Sequence, residues 1–383
     1  MGGSRAGVAS MASRRVLIVG AGIAGLTAAA ALRRQSIDVD VLEIGHSWIV
    51  SGSGIQQQAN VVRALSGLGF RDEFLAAGFG FSRVRNYDRE GRLVAETVLP
   101  RLAGFDSPAM IGIGRGVLHR LLQAAATRAG ARVHLGTSIA SVREVVGGAH
   151  VELTDGTAQR FDLVVGADGL QSRVRHQCFE ESVAPRQLEQ SLWSCLVPRP
   201  HELDSLMVQS GVNGHCGACP VSATQAYVFV TAAAEPGGDP ARNRLPARMR
   251  ELLSGYEGAV GALRELVGDE LPVSHRRLET LLVPRDWFRG HVLLIGDAAH
   301  ACAPHLGQGA GMAIEDAVVL AEEMGQSQPV GQALSRFMDR RRERVGFVWR
   351  ASQQLALAEI AGDARVDRRG LYQKMIDITA QPL

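Results

Sequence analysis

The sequence predicts an α/β protein: one parallel sheet assembled from separated stretches of chain, a β-sheet lobe inserted between them, and helices toward the C-terminal end. Three observations carry this. An apolar strand pattern at residues 16–19 runs through a glycine turn into an alanine-rich helix. Two later apolar strands each end where a carboxylate meets a glycine, at Asp168 and at Asp297. From about residue 180 to 280 that punctuation stops, Pro198, Pro200, Pro220, Pro236 and Pro240 appear, and stretches such as 226–231 alternate as strands do.

In chain order, residues 16–19 read as a buried strand, Gly20-Ala21-Gly22-Ile23-Ala24-Gly25 as a tight turn, 23–34 as a helix, and 39–42 as a strand ending at Glu43. The glycines have separate tasks: Gly20 makes the turn, Gly22 admits a pyrophosphate, and Gly25 lets helix and strand pack closely. The helix start presents unpaired N–H groups to the phosphates, and Glu43 accepts from ribose hydroxyls. This is a Rossmann-like dinucleotide unit, and by itself it does not choose between FAD and NAD.

Residues 51–56, including Gln56, read as a glycine-bracketed turn into a strand, followed by a helix at about 59–68. Residues 81–113 alternate in a strand-like way, broken at Gly91, Pro100 and Pro108, as sheet of another layer. Arg115 opens a helix over 117–129, either as a solvated helix end or as a fixed donor fork for a phosphate or ring. Residues 151–153 and 161–165 read as a hairpin about Asp155-Gly156, leading into Gly166-Ala167-Asp168-Gly169. Asp168 there serves as a helix N-cap, as a ligand group, or as both. In the 180–280 lobe His215 and Tyr227 stand out. A lone His or Tyr on a strand is more often structural, and the sharper alternative is contact with substrate.

The stretch 292–317 is the most informative. An apolar strand at 292–295 ends in Gly296-Asp297, and a loop with Gly307, Gly309 and Gly311 opens a helix over 312–324. Glycines let backbone approach a ligand, and the free N–H groups of a helix start favour an electron-rich oxygen. Asp297, an acceptor only, suits a ribityl or ribose hydroxyl. Asp297, His300, Cys302 and His305 are metal-ligand types, but their spacing matches no zinc signature and no metal is expected. Residues 332–361 form a long helical region packing through Phe337, Val345, Val348 and Leu355, with Arg340-Arg341-Arg342 as a solvated face.

Composition excludes several classes. The 383 residues suffice for a large core in two lobes, and a net charge of +2 without a dominant cluster gives no footprint for nucleic acid or an acidic membrane surface. Lys374 is the only lysine, so Schiff-base chemistry has one candidate, near the end of the chain. Five cysteines without a framework suit a reducing compartment, and Cys216 and Cys219 read as buried packing. Residues 1–13 read as a mobile tail without signal-peptide character; the uncharged run 16–32 is broken by glycines, which argues against a membrane helix. The expected location is the cytoplasm, as a monomer or homodimer.

GAGIAG at 20–25 with Glu43, GADGLQSRVR at 166–175 and GDAAHACAPHLGQGAGMAIEDA at 296–317, in that order, resemble the flavin-dependent aromatic hydroxylases of the p-hydroxybenzoate hydroxylase type. The resemblance covers nearly the whole chain, and it is nearest to the shorter hydroxylases of urate, hydroxynicotinate, alkylquinolones or salicylate. It implies a Rossmann-like FAD-binding fold over 14–80, 110–180 and 281–325, a β-sheet substrate lobe over 81–109 and 181–280, and a helical region over 326–383. FAD is then the cofactor and NAD(P)H a transient co-substrate, since no second βαβ fingerprint exists. Carried over by position, Gly20, Gly22, Gly25 and Glu43 hold the ADP half, Arg115 reaches the phosphate and ring side, and the Ile139 backbone touches adenine. Asp168 serves the pyrophosphate and the NAD(P)H encounter, and Asp297 the ribityl chain. Gly307, Gly309 and Ala310 line the approach, Gly311 and Met312 N–H groups face flavin N1 and O2, and Pro304 borders the substrate. The reaction implied is hydroxylation of a small phenolic or N-heteroaromatic substrate with O2 through a flavin C4a-hydroperoxide. His215, Tyr227 and Gln56 are the candidates to polarise that ring. Urate hydroxylases carry an arginine where His215 stands, which counts against urate, and His305 is a second departure, at the pocket rim. The competing expectations are an epoxidase, Baeyer–Villiger enzyme or reductase of the same fold, and a non-catalytic flavin sensor.

Overall fold

A computed structural model describes residues 14–48, 52–102, 106–179, 183–211, 214–235 and 238–383; the tail expected over 1–13, together with Ser51 and Pro236, lies outside them. Arg15–Val19, with side chains buried on both faces, is central to a six-stranded sheet. Asp38–Glu43 and Leu163–Gly166 flank it in parallel, and Arg132–Leu135 and Val292–Leu294 lie beyond them, also parallel. The carboxyl ends of these strands therefore share one edge, where open α/β sheets bind their ligands. Short bonds stitch that edge: Gly20 N–H donates to Leu42 O (2.8 Å), Ala167 N–H to Val19 O (2.8 Å) and Ile295 N–H to Gly166 O (3.0 Å). The glycine turn and both carboxylate corners so come to one place.

Three expectations need correction. The strand read at 161–165 is two: Ala158–Phe161 pairs antiparallel with Gly148–Leu153, while Leu163–Gly166 joins the parallel sheet. The chain changes sheet at Asp162, whose carboxylate accepts from Arg15 N–H at 2.7 Å. The helix expected to begin at Met312 runs Gly309–Met324, so two glycines of the presumed loop form its first turn. The arginine run is a solvated face only in part: Arg340 and Arg342 keep side-chain exposures of 27% and 52%, while Arg341 is buried. Arg341 has a side-chain exposure of 0% and ion-pairs with Glu315 (2.7 Å) and Asp316 (2.8 Å), joining the Val330–Ile360 helix to the Gly309–Met324 helix.

The second large sheet has seven strands, in the order Ser274–Thr280, Arg186–Pro198, Gln225–Ala233, Gly214–Pro220, Leu206–Gly211, Arg83–Tyr87 and Leu93–Val98. Side chains alternate across it. Trp193, Cys195, Cys216, Val228 and Val230 face outward onto the Leu245–Leu253 helix and Tyr256. Leu192, Ser194, His215, Cys219, Tyr227, Phe229 and Thr231 take the opposite, inner face. A small sheet of Gly54–Gln58, Met110–Gly114 and Phe79–Phe81 sits between the two large ones, with Gly112 so close to Pro220 O that a Cβ would lie 2.0 Å from it. Cys216 and Cys219 are fully buried free thiols, as packing residues should be. Among the described residues no helix is long and apolar enough to cross a membrane.

Candidate active site

At the first corner each glycine is required for a different reason. Gly20 has φ +103° and its missing Cβ would fall 2.5 Å from Ala167 O, so it makes the turn and admits the neighbouring strand end. A Cβ on Gly25 would lie 1.9 Å from Gly20 O, which fixes how closely the helix packs. Gly22 is different: nothing stands within 4 Å of a Cβ there. Its open side faces a cleft of about 290 Å³ lined by Glu43, Trp48, Arg115 and His119. The Glu43 carboxylate is steadied by Ala21 N–H (3.0 Å) and Gly45 N–H (2.8 Å), and His119 Nε2 contacts Ala21 O at 2.8 Å. Ile139 begins its strand two residues after Thr137, whose N–H donates to Glu43 O, which brings it to the Glu43 side; its own side chain is core.

Arg115 enters from the start of its helix, its stem tight against Gly52, where a Cβ would meet Arg115 Cδ at 2.7 Å. Arg115 Nε is buried without a hydrogen-bond partner. Burial and then the neighbouring charge of Arg276 push this guanidinium's pKa down, while Asp297 and Tyr227 pull it back up. A partly desolvated cation lacking an anion is the mark of a ligand site.

The Gly296-Asp297 corner is built by a buried network. Gly296 (φ +59°) fits between Ala24 and Ala313 of two helices, and its N–H donates to Asp316 Oδ2 at 3.0 Å. His300 Nε2 holds the same oxygen at 2.6 Å. Burial acts to raise the Asp316 carboxyl, but His300, Arg341 and the Gly296 N–H bring it down to about 2. Asp297 itself is exposed. The turn that follows is clamped by amides: Gln58 Nε2 donates to Leu306 O (3.1 Å), Gln308 Nε2 to Gln58 Oε1 (2.6 Å), and Asn60 Nδ2 to Glu315 Oε1 (2.8 Å).

Gly307 takes the left-handed φ of +64° that turns the chain into the Gly309–Met324 helix. Its first-turn N–H groups, those of Gly309, Ala310 and Gly311, have no partner within the helix. Met312 is a correction to the expected donor pair: its N–H already donates to Gln308 O at 2.8 Å, because the helix starts three residues earlier than expected. Asp168 lies beside Gly20, its Cα 2.8 Å from a Cβ there, but its carboxylate accepts from Ser172 Oγ (2.5 Å), Arg173 N–H (2.7 Å) and Val174 N–H (3.2 Å). Capping is thus the role its geometry displays. Nearby Arg175, 1% exposed, ties Leu170 O to Ala298 O and so joins the two corners.

On the facing sheet Tyr227 lies against Gly54, where a Cβ would come within 2.5 Å of it, and stacks with Phe229 at 5.5 Å. Burial pushes its hydroxyl up to about 12. Gln56 reaches the Cys219 thiol, the strand partner of Tyr227. His215 does not join them. It pairs across from Thr231, four residues along the strand from Tyr227, or about 13 Å. Its Nδ1 contacts Glu359 Oε2 and its Nε2 lies 3.2 Å from Ser210 Oγ, so the pair expected to polarise one ring is split between two ends of the sheet. Pro304 opens the short turn Pro304–Leu306 facing this sheet, and His305 Nε2 lies 3.4 Å from Glu359 Oε2. Sequence reasoning missed Arg276, Glu359 and the Gln58/Asn60/Gln308 clamp; a polar run of three glutamines and Asn60 beside apolar helix was the available signal for the clamp.

A glycine cradle open at Gly22, an unpartnered Arg115, a free Asp297 and three open helix N–H groups, all on one sheet edge, fit a long dinucleotide flavin. The FAD binding domain family matches residues 13–354. The chain belongs to that family. It is 32% identical over 342 residues to the 2-heptyl-3-hydroxy-4(1H)-quinolone synthase of Pseudomonas aeruginosa, covering 88% of this chain and 87% of that one. Against the 3-amino-4-hydroxybenzoate 2-monooxygenase PtmB3 of Streptomyces platensis identity is also 32%, over 354 residues, with 89% and 87% covered. The crystal structure of Klebsiella pneumoniae HpxO complexed with FAD and uric acid superposes with a TM-score of 0.85 at 26% identity, over 96% of this chain and 97% of that one. The protein is an FAD-dependent monooxygenase of the aromatic-hydroxylase kind, with NAD(P)H as the co-substrate typical of that kind.

Proposed function

We propose that this monooxygenase hydroxylates a small phenolic or N-heteroaromatic substrate held between the flavin edge and the inner face of the seven-stranded sheet. The observation that carries the reading is the placement of Arg115, Asp297 and the Gly309–Gly311 N–H groups opposite Tyr227 and Phe229. Bound FAD supplies the acceptance of two electrons from NAD(P)H and the activation of O2. Glu43 and the turn at Gly20, Gly22 and Gly25 hold the ADP half, beside the Ile139 backbone, with Asp297 on the ribityl chain. The N–H groups of Gly309, Ala310 and Gly311, at the positive end of a 16-residue helix, hold negative charge that develops at the ring edge. Tyr227, protonated at neutral pH like any tyrosine and with burial raising its hydroxyl further, offers an O–H donor to the ring. Gln56 and Pro304 bound the substrate, and Asp168 serves the brief NAD(P)H encounter. The five cysteines are all free thiols, which supports a cytoplasmic site of action, as a monomer or homodimer.

Anaerobic stopped-flow tests this. With the substrate ring present, NAD(P)H is expected to bleach the flavin faster, and admitted oxygen to yield hydroxylated product. Peroxide alone with every ring tried would overturn the proposal. Leu196, Val208 and Phe229 stay partly exposed among Tyr372 and Ile376, which also suits a bulkier apolar natural-product precursor; product mass separates hydroxylation from epoxidation or ring expansion.

A further inference from the structure

Away from Tyr227, the inner sheet face ends in a second polar cluster. The Glu359 side chain, 5% exposed, comes down from the end of the Val330–Ile360 helix. Its Oε1 accepts from Gln190 Nε2 at 2.6 Å and from Thr231 Oγ1 at 2.5 Å, and its Oε2 faces His215 Nδ1 and His305 Nε2. Gly214, in the left-handed region at φ +134°, leaves room for this: a Cβ would sit 2.8 Å from Glu359 Oε1. From the layer behind, Tyr256 is the titratable group that senses it, with Cys216 next to Tyr256; burial pushes both upward, and neither carries charge at neutral pH. Burial also works against the Glu359 carboxylate, yet His215 and His305 hold it below the usual carboxylate range.

His305 is the informative member. Its side chain is 6% exposed, it follows Pro304 directly, and neither ring nitrogen has a hydrogen-bond partner: Nδ1 is buried and alone, and Nε2 stands 3.4 Å from the Glu359 Oε2 charge. Ala303, two residues before His305, belongs to an apolar patch with Leu192, Leu278 and Ala356, against which the partly exposed Phe229 packs. An imidazole with one nitrogen toward a buried carboxylate and the other unclaimed is built as a base. His215, in turn, connects Glu359 to the exposed Ser210.

We propose that His305, oriented by Glu359, is the general base that removes the proton of the substrate's ring hydroxyl or ring N–H, with Glu359 and His215 as the route by which that proton reaches water. This rests on the hydroxylase reading above. The substrate O–H or N–H bond breaks, its electron pair stays on the substrate and enriches the ring, and a new N–H bond forms at His305 Nδ1. The proton on Nε2 passes toward Glu359 Oε2, on to His215 Nδ1, and leaves from Nε2 at Ser210. No electrons leave the substrate in this step. Glu359 is a positioning residue: its charge stabilises the imidazolium while it forms.

The test uses the FAD-loaded enzyme and salicylate, p-hydroxybenzoate and hydroxynicotinate as probes, taking each ring that the wild type hydroxylates through a pH profile. H305N is expected to lower kcat by about 10²–10⁴-fold with little change in KM, and to lose the acidic limb of the profile. Its rate should recover once the pH exceeds the ring's own ionisation, a rescue that a merely structural role would not give. E359Q keeps a base but not the charge beside it, so the plateau falls while a limb persists at a displaced pH. Bound-flavin absorption and melting temperature report whether either variant is folded; if H305N is not, the E359Q limb decides. An unaltered limb in the folded variants overturns the assignment and leaves the hydroxylase reading intact. Failure of the wild type to hydroxylate any of the three rings counts against both.

Discussion

Gly22 and Gly25 are three residues apart in one turn, yet they are glycine for opposite reasons, and substitution separates them. A side chain at Gly22 meets no protein atom, so G22V should leave the apoprotein within about 0.5 kcal/mol of wild type and weaken FAD binding by about 100-fold or more. A methyl at Gly25 collides with Gly20 O at 1.9 Å; G25A should destabilise the fold itself by about 3 kcal/mol. Melting curves with and without added FAD distinguish the two. Arg115 tests the same logic with charge. Its buried Nε has nothing to bond in the protein, so R115M should raise the melting temperature of the apoprotein slightly while lowering FAD affinity about tenfold or more. An R115M apoprotein less stable than wild type would mean that a protein group, not a ligand, satisfies the guanidinium.

Among elements, the Gly309–Met324 helix depends on its neighbours more than its composition suggests. Glu315 and Asp316 are fully buried on it, compensated by Arg341, Arg344 and His300. Removing one partner strands the others, so R341A should cost about 3–5 kcal/mol, read as a lowered urea midpoint, and should loosen the Gly296 corner that Asp316 holds. An R341A protein within about 1 kcal/mol of wild type would show the arginine to be solvated after all. This network marks where sequence reading stops. The strand–glycine–helix order at 16–34 was legible because local periodicity, turn chemistry and the acid at Glu43 all agree. The arginine run at 340–342 misleads because helix periodicity places Arg341 between charged neighbours, and only the partner helix supplies Glu315 and Asp316. The start of the helix at Gly309 was equally hidden, since glycine lowers helix propensity and tertiary packing overrides it. In the seven-stranded sheet Tyr227 and His215 were visible as unusual strand residues, but their separation depends on strand register, which their positions in the sequence do not display.

Across the whole molecule, the buried carboxylates set the response to acid. Asp316 lies at about 2 against an ordinary 3.8, and Asp40, bound by Arg132, His134 and Arg15 against the effect of its own burial, also at about 2. Folded-state values below the unfolded ones mean that the stabilisation is complete above the unfolded value and lost as pH falls through the folded one. Urea midpoints should therefore hold steady from neutrality to about pH 5 as far as these groups are concerned, then fall steeply toward pH 2. D316N should lower the plateau and flatten part of that fall; an acid limb as steep in D316N as in wild type would assign it to other groups.

The Val330–Ile360 helix grips the Asp316 corner through Arg341 and, eighteen residues further on, meets the far end of the opposing sheet through Glu359. At 1.5 Å per residue those two grips are about 27 Å apart on a single rigid rod. A tilt that relaxes one necessarily strains the other, so the Gly296 corner and the far end of the opposing sheet are geared together through a part of the chain that reaches neither with its backbone.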